Sequence, residues 1–253
     1  MTANRLIVSV ATGTFVKGQR RLARCVTAQD GEFIRAWVDM APYGCPNHRD
    51  VPYAFKAYAL KAAMEEGAQL VMWCDASVIP IRSLAIVWEQ IERDGYWISK
   101  NGWDNSDWTA DSAYADLFPG VELEAARELN RRIPHVIATA FGLDLRQDIG
   151  RSMLIEYYRL ASETRAFCGP WTNTAAGSEA HVRDPRRAAP CGPASTLGHR
   201  HDQTALAVIA SRHGCALTEG PHIFAYAKRD AAGEAILDPA AYVDDTVLLA
   251  IGV

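Results

Sequence analysis

The chain has 253 residues, of which 49% are hydrophobic and 22% charged, and its formal net charge is −4. This balance is typical of a soluble protein with a sizeable core, and it argues against nonspecific binding to nucleic acid or anionic membranes. The six cysteines form no C-x-x-C pair, which argues against a zinc ribbon. No stretch approaches the roughly 20 apolar residues of a membrane span, and the N-terminal apolar run is too short for a signal peptide. We therefore expect a cytoplasmic protein.

Short apolar runs alternate with amphipathic segments along the whole chain, which predicts an α/β fold. We expect one domain over residues 1–253, with a central, mostly parallel sheet flanked by helices. In chain order, the patterns predict a strand at 5–11, a helix at 18–29, a strand at 33–40, a helix at 53–66, a strand from 70, a helix at 81–93, a strand at 96–99, helices beginning at 109 and at 121–132, a strand at 134–145, helices at 148–163 and 204–212, and strands at 222–227 and 246–251.

The run L-V-M-W-C-D-A-S-V-I-P at 70–80 lies in the middle of this alternation. A buried parallel strand that ends in a carboxylate, here Asp75, delivers it to the edge where open α/β sheets bind ligands. The alternative interpretation is that Asp75 only caps the turn into the next helix.

A second candidate ligand site follows the first strand, where Thr12, Gly13 and Thr14 form a short loop before a helix. This is the usual entry point for a nucleotide in α/β folds. Only one glycine is in place, so the loop is neither a Walker loop nor a G-x-G-x-x-G fingerprint. An ordinary strand-to-helix turn is the alternative.

Residues 168–198 are rich in Gly, Pro, Ala, Ser, Thr and Arg and show no sustained periodicity. Loops of this length are usually functional lids or disordered insertions. We expect a long flexible loop that orders over a donor, with Arg183, Arg186 and Arg187 available to clamp a diphosphate. A mobile insertion without a role is the alternative.

Four short stretches together resemble the GT-A class of nucleotide-sugar glycosyltransferases. They are the first strand with T-G-T at 12–14, P-Y-A-F-K at 52–56, W-C-D-A-S at 73–77 and H-D-Q at 201–203. The resemblance spans roughly residues 6–226 through these short motifs. It implies transfer of a sugar from a nucleotide-diphosphate sugar to an acceptor hydroxyl.

The resemblance also implies a metal site. Asp75 matches the first acid of the D-x-D signature that holds a divalent cation against the donor diphosphate, and Ser77 stands where the second acid would be. His222 resembles a late histidine that completes the metal shell, with His199 and His201 as rivals. We expect Mn²⁺ or Mg²⁺, although a hydroxyl is a poorer ligand for either than a carboxylate.

Other residues acquire donor and acceptor roles through the same resemblance. Lys56 resembles a lysine that faces the donor, and Gly142 resembles the glycine loop under the donor sugar. Asp202 resembles the acid near the acceptor hydroxyl, which is the general base in inverting members, and Gln203 beside it could orient a substrate hydroxyl. A solvated lysine and a simple helix N-cap are the alternatives for Lys56 and Asp202.

Two other classes of function compete with this interpretation. A Rossmann-type methyltransferase would use an acid at the end of the second strand, which Asp39 supplies. A non-catalytic nucleotide- or sugar-binding module would explain the incomplete D-x-D signature. The acceptor of a transferase could be a glycan, a small molecule, a protein or a modified nucleic-acid base, and the sequence does not separate inverting from retaining chemistry.

Overall fold

The computed structural model describes residues 4–30, 34–177, 185–220 and 222–252. In chain order, its strands and α-helices are β1 (Arg5–Ala11), α1 (Phe15–Asp30), β2 (Ile34–Val38), α2 (Ala54–Glu65), β3 (Leu70–Cys74), β4 (Val78–Pro80), α3 (Ala85–Asp94), β5 (Tyr96–Asp104), α4 (Tyr114–Leu117), α5 (Leu123–Asn130), β6 (Pro134–Asp144), α6 (Asp148–Glu163), β7 (Thr172–Asn173), β8 (Ala188–Ala189), α7 (Asp202–Arg212), β9 (Ile223–Tyr226) and β10 (Thr246–Ala250).

The central sheet has five strands in the order β2-β1-β3-β6-β5. Strands β2, β1 and β3 are parallel, and β6 runs antiparallel to both β3 and β5. The predicted α/β fold with a central, mostly parallel sheet is confirmed. Because β6 runs the other way, its first residues lie at the same edge as the carboxyl ends of the other four strands.

Helices and a second sheet cover the two faces of the central sheet. Helices α2, α6 and α7 pack on one face, where Val71 and Trp73 of β3 point. Helices α1 and α3 and the three-stranded sheet β4-β10-β9 cover the other face, where Leu70, Met72 and Cys74 point. Strand β3 is buried on both faces, which explains why its sequence is continuously apolar rather than alternating.

Several predicted elements differ from the observed ones. The run 70–80 divides after Cys74, because Val78–Pro80 leaves the central sheet and pairs with β10 in the second sheet. The helix predicted at 81–93 therefore begins later, at Ala85. Thr109 does not begin a helix: its hydroxyl donates a hydrogen bond to the carbonyl of Asn105, and α4 begins at Tyr114.

The described parts of residues 168–198 contain regular structure. Strands β7 and β8 pair in parallel, and the side-chain amide of Asn173 donates hydrogen bonds to the carbonyls of Gly192, Pro193 and Thr196. Arg183 lies outside the described residues. Ordering of this segment over a donor stays a prediction.

In the described part of the chain, no helix combines the length and the apolar character that crossing a membrane requires.

Candidate active site

The carboxyl ends of β1, β2 and β3 form an open edge of the central sheet. The loop Thr12–Thr14 follows β1 and is exposed, and its Gly13 has φ of +54°, a conformation that glycine adopts without strain. The Asp39 carboxylate, just after β2, accepts a hydrogen bond of 2.9 Å from the Gly13 amide. Asp39 therefore holds the first loop in shape, a role that sequence reasoning did not assign to it.

A buried ammonium group links the two acids that the sequence motifs single out. The Nζ atom of Lys56 lies 3.1 Å from Asp75 Oδ1 and 2.9 Å from Asp202 Oδ2. It also donates a hydrogen bond of 2.7 Å to the carbonyl of Ala138 in β6. The structure thus brings three predicted site residues from α2, the end of β3 and the start of α7 into direct contact.

These contacts enclose the ammonium group of Lys56. An ammonium has three N–H groups, and three oxygens surround this one while its side chain is only 3% exposed. Burial lowers the pKa of Lys56, but Asp202 and Asp75 outweigh burial and raise it above its ordinary value. Lys56 is therefore a buried internal cation that lies at ion-pair distance from two carboxylates and donates a hydrogen bond to the Ala138 carbonyl.

Asp75 is the more open of the two acids, with its side chain 28% exposed. Its Oδ1 lies at ion-pair distance from Lys56 Nζ and accepts a hydrogen bond of 2.7 Å from the indole N–H of Trp73. Its second oxygen, Oδ2, has no hydrogen-bond partner among the residues that the structure describes. Asp75 does not cap the next helix, because α3 begins ten residues later and the Leu84 amide there donates to Asp30. The capping interpretation of Asp75 is therefore wrong.

Asp202 is almost completely withdrawn from solvent, at the first position of α7. Burial raises the pKa of Asp202 to about 6, although the charge of Lys56 opposes the increase. The next residue, Gln203, is half-buried, and its side-chain amide donates to the carbonyl of Val136 at 3.1 Å. Asp202 thus contacts Lys56 and is shielded from solvent, whereas the neighbouring Gln203 is more accessible.

Ser77 lies in the turn between β3 and β4, close to the other predicted donor residues. Its carbonyl accepts a hydrogen bond of 2.9 Å from the Ile251 amide. Between Asp75 and Ser77, the Ala76 side chain packs against Ala11 and Val16, which flank the Thr12–Thr14 loop. The structure therefore brings Asp75, Ser77 and the first loop to one edge of the sheet.

His222 is placed elsewhere. It precedes β9, and its Nδ1 forms a hydrogen bond of 2.6 Å with the carboxylate of Asp245, which precedes β10. The opposite end of β9, at Tyr226, is the end that approaches Ser77 through the pairing with β10. His222 therefore lies at the end of β9 that is remote from Ser77, and the described residues contain no group of three or more His, Cys, Asp or Glu that could hold a metal.

The two rival histidines have structural roles. His199 is buried between the amide of Ala110 and the carbonyl of Ala166, and burial lowers its pKa to about 4. His201 donates through Nδ1 to the carbonyl of Phe167, and burial holds its pKa well below the ordinary value. Both imidazoles are therefore neutral and fix backbone segments around the start of α7.

Gly142 does not lie at the candidate site. It sits in the interior of β6, where it pairs with Met72 of β3 and Trp97 of β5. A Cβ atom there would lie 2.2 Å from Ile91 Cδ1 of α3. The close approach that a glycine in a strand indicates is thus the approach of a helix side chain and not of a donor sugar.

A cluster of aromatic rings beside Lys56, formed by Tyr53, Trp171 and His201, was not predicted from the sequence. The rings of Tyr53 and His201 lie 5.8 Å apart, and Trp171 lies 4.9 Å from His201. Tyr53 and His201 both have positive φ, 60° and 49°, and each directly precedes one of the helices that carry Lys56 and Asp202. Strained residues of this kind concentrate at functional sites, but positive φ leaves no signal in a sequence at Tyr or His.

No family model and no curated protein matches the chain. Among solved structures, a glycosyltransferase involved in the glycosylation of the major capsid of PBCV-1 matches with 9% identity and a TM-score of 0.46, over 97% of this chain and 91% of that one. Mouse xyloside xylosyltransferase 1 matches with 8% identity and a TM-score of 0.43, over 88% of this chain and 87% of that one.

An active-site mutant of LgtC matches with 15% identity and a TM-score of 0.32, over 62% of this chain and 65% of that one. All three proteins are glycosyltransferases, the class that the sequence motifs resemble. At these identities and TM-scores we draw no conclusion about this chain from the matches, and its function rests on the geometry of the site.

Proposed function

We propose that the protein is a glycosyltransferase that moves a sugar from a nucleotide-diphosphate sugar to an acceptor hydroxyl. The observation that carries this proposal is the buried contact of Lys56 with Asp75 and Asp202 at the carboxyl edge of the central sheet. Open α/β sheets bind ligands at this edge, and the exposed Thr12–Thr14 loop lies beside it. The donor, on this proposal, lies over the loop with its diphosphate near Asp75 and Ser77.

The described residues have distinct tasks in this reaction. Lys56 holds the Asp75 carboxylate in one orientation, and the indole N–H of Trp73 fixes the same oxygen. Asp75 Oδ2 has no partner among the described residues, which leaves it for the donor and its cation. Holding the anomeric carbon and the attacking hydroxyl in register is a large part of catalysis in such transfers.

Asp202 is proposed as a positioning residue, because its side chain is buried against Lys56 and does not reach a substrate. The half-buried Gln203 beside it is placed to meet a hydroxyl of the donor sugar. The proton of the attacking hydroxyl then passes to an oxygen of the leaving diphosphate, as in a retaining mechanism, in which the diphosphate assists the attack.

A divalent cation, Mn²⁺ or Mg²⁺, would neutralise charge on the departing diphosphate when bound. The donor set of the described protein fits such a cation only together with the donor, because Asp75 Oδ2 and the Ser77 hydroxyl are two ligands at most. Mg²⁺ is commonly held by one or two carboxylates plus substrate phosphates and water. Asp75 and Ser77 would hold the cation, and His222 is left out of the proposed site.

The proposal is tested by turnover of nucleotide sugars. UDP-, GDP- and dTDP-sugars are incubated singly with the protein and Mn²⁺, and release of the free nucleoside diphosphate is measured with and without an acceptor panel. At least one donor should be consumed, and Asp75→Asn should reduce the rate at least about a hundredfold, as losses of electrostatic groups at reacting centres do.

The matched control is Glu89→Gln, which removes an exposed carboxylate on α3. It should leave the rate unchanged, and Asp75→Asn should melt close to the wild type because Asp75 is partly exposed. Turnover of S-adenosylmethionine with no consumption of any nucleotide sugar would favour the methyltransferase interpretation. Binding of nucleotide sugars without turnover would favour the binding module.

A further inference from the structure

A cleft of about 410 Å³ lies on the side of the sheet opposite Lys56, between the end of β5 and the strand β9. Its floor is apolar and includes Ile137 and Phe224, and its rim carries Lys100, Glu219 and Tyr226. The volume falls within the ~300–1,000 Å³ range of small-molecule sites. None of the residues assigned above to the donor lines this cleft, so it is a separate site.

The cleft begins next to the proposed donor site. Ile137, in its floor, immediately precedes Ala138, whose carbonyl accepts from Lys56. On the other side, Tyr226 pairs with Ala250, which pairs with Val78, the residue after Ser77. Two strand spacings separate Tyr226 from Val78, which is about 10 Å. The distance from the cleft to Ser77 is therefore about the length of one or two sugar rings.

The rim offers a hydrogen-bond donor and an acceptor side by side. The Lys100 ammonium and the Glu219 carboxylate form an ion pair of 2.6 Å, with side chains 33% and 65% exposed. The backbone holds the pair in place, because the Lys100 amide donates to the carbonyl of Thr218 at 3.0 Å. A sugar hydroxyl both donates and accepts, so a fixed pair of this kind suits adjacent hydroxyls of a sugar ring.

An aromatic ring stands at the same rim. Tyr226 is 60% exposed, and its ring meets Phe224 edge-on at 5.6 Å, which holds it upright beside the apolar floor. An exposed aromatic face above a small polar pair matches the apolar C–H face and hydroxyl edge of a sugar.

The charge of the cleft argues against an anionic ligand. Lys100 is neutralised by Glu219, and Lys228 is directed to the carbonyl of Ala241 and the ring of Tyr242. With these contacts, the rim has little net charge to attract a phosphate backbone.

We propose that this cleft binds a neutral carbohydrate, which serves as the acceptor of the transfer. The proposal rests on the function proposed above, since it takes the neighbouring site as the donor site. It selects a glycan acceptor over a protein or a nucleic-acid base. The acceptor hydroxyl would extend from the cleft past Tyr226 toward Ser77 and Asp75.

The test is direct binding, which does not depend on turnover. The methyl glycosides of glucose, galactose, mannose, xylose and N-acetylglucosamine are titrated singly in the presence of UDP, by saturation-transfer difference NMR. At least one should bind, and Tyr226→Ala should weaken it about tenfold, the size of one lost aromatic contact. Tyr226→Phe should bind like the wild type.

Tyr43→Ala is the matched control, because Tyr43 is fully exposed and lies outside the cleft. It should leave glycoside affinity unchanged, and UDP affinity should be the same in every variant. Absence of binding by every glycoside, or equal affinity of Tyr226→Ala and wild type, would overturn the proposal. Glycoside binding with no consumption of any nucleotide sugar would keep the carbohydrate site and reject the transferase.

Discussion

Asp202 and Lys56 form an ion pair of 2.9 Å in which both side chains are 3% exposed. A buried pair is expensive to assemble, because each ion loses its hydration, and breaking it leaves one charge without compensation. Here the ammonium has a second carboxylate, Asp75, on its solvent side. The buried Lys56–Asp202 pair therefore helps to fix the orientation of the Asp75 carboxylate, which reaches the surface.

Replacement of Lys56 by methionine should be among the most damaging changes in the protein. It leaves Asp75 and Asp202 facing each other without a cation, so we expect a loss of about 3–5 kcal/mol in the free energy of unfolding. Chemical denaturation measures this loss. Donor turnover should disappear as well, at a temperature where the variant is still folded.

Lys61→Met is a matched control on the same helix. Lys61 pairs with Glu65, whose side chain is 63% exposed, so this pair contributes about 0–1 kcal/mol. A loss for Lys56→Met no larger than that for Lys61→Met would contradict the buried-cation interpretation.

Activity should depend on pH through Asp202. Burial raises the pKa of Asp202 to about 6, so the carboxyl becomes neutral as the pH falls through 6 and Lys56 loses one of its counter-charges. We expect kcat/KM to fall along an acid limb with an apparent pKa of about 6. The profile is measured between pH 5 and 8 with saturating and limiting acceptor. Asp202→Asn should lower kcat/KM and abolish the acid limb, while affinity for the donor survives.

The same shift has a consequence for stability. The folded carboxyl holds its proton up to about pH 6, whereas an unfolded aspartic acid loses it near ~4. The contribution of Asp202 to stability is therefore complete below about pH 4 and is lost as the pH rises toward 6.

For the activity profile, retention of the acid limb of kcat/KM in Asp202→Asn would assign that limb to another group.

Gly142→Ala tests the corrected position of that glycine. Its Cβ would meet Ile91 Cδ1 at 2.2 Å inside the core, so we expect a loss of about 1–3 kcal/mol from overpacking. Shortening the neighbour in Gly142→Ala/Ile91→Val should recover part of the loss. Because Gly142 lies in the sheet interior, KM for the donor should not change. An increased KM at unchanged stability would return Gly142 to the donor site.

The strand-end acid could be predicted from the sequence because both signals are local. A continuous apolar run from Leu70 to Cys74 indicates a strand buried on both faces, and Asp75 is the first polar residue after it. The Thr12–Thr14 loop follows from the same reasoning at β1. Such patterns place residues at an edge without information from the rest of the chain.

The contact between Lys56 and Asp202 could not be derived in that way. Lys56 lies on an amphipathic helix, where most lysines are solvated, and the return of α7 to α2 depends on packing of the whole face. Only the resemblance to glycosyltransferase motifs indicated that these residues belong together. The position of His222 shows the limit of such motifs, since the late strand was predicted correctly but the motif does not say which strand end faces the acid.

The final prediction concerns the metal. Asp75 Oδ2 and the Ser77 hydroxyl are the two ligands proposed at this edge, and the described residues contain no group of three or more His, Cys, Asp or Glu that could hold a metal. Two weakly matched ligands do not hold Mn²⁺ tightly, but a diphosphate supplies further oxygens. We therefore expect Mn²⁺ to bind the protein with UDP at least about tenfold more tightly than it binds either the protein or UDP alone, as measured by electron paramagnetic resonance of the free ion.

Two variants separate the possible ligands of this ion. Asp75→Asn should abolish the cooperative binding of Mn²⁺ and UDP. It removes the negative charge of the carboxylate whose Oδ1 contacts Lys56 and Trp73 and whose Oδ2 is proposed to bind the ion. His222→Ala should leave it unchanged, because His222 is paired with Asp245 at the far end of β9. Ser77→Asp, which supplies the second acid of a D-x-D signature, should strengthen Mn²⁺ binding even without UDP. Loss of cooperative binding in His222→Ala would instead show that β9 shifts to complete a three-ligand metal site when the donor binds.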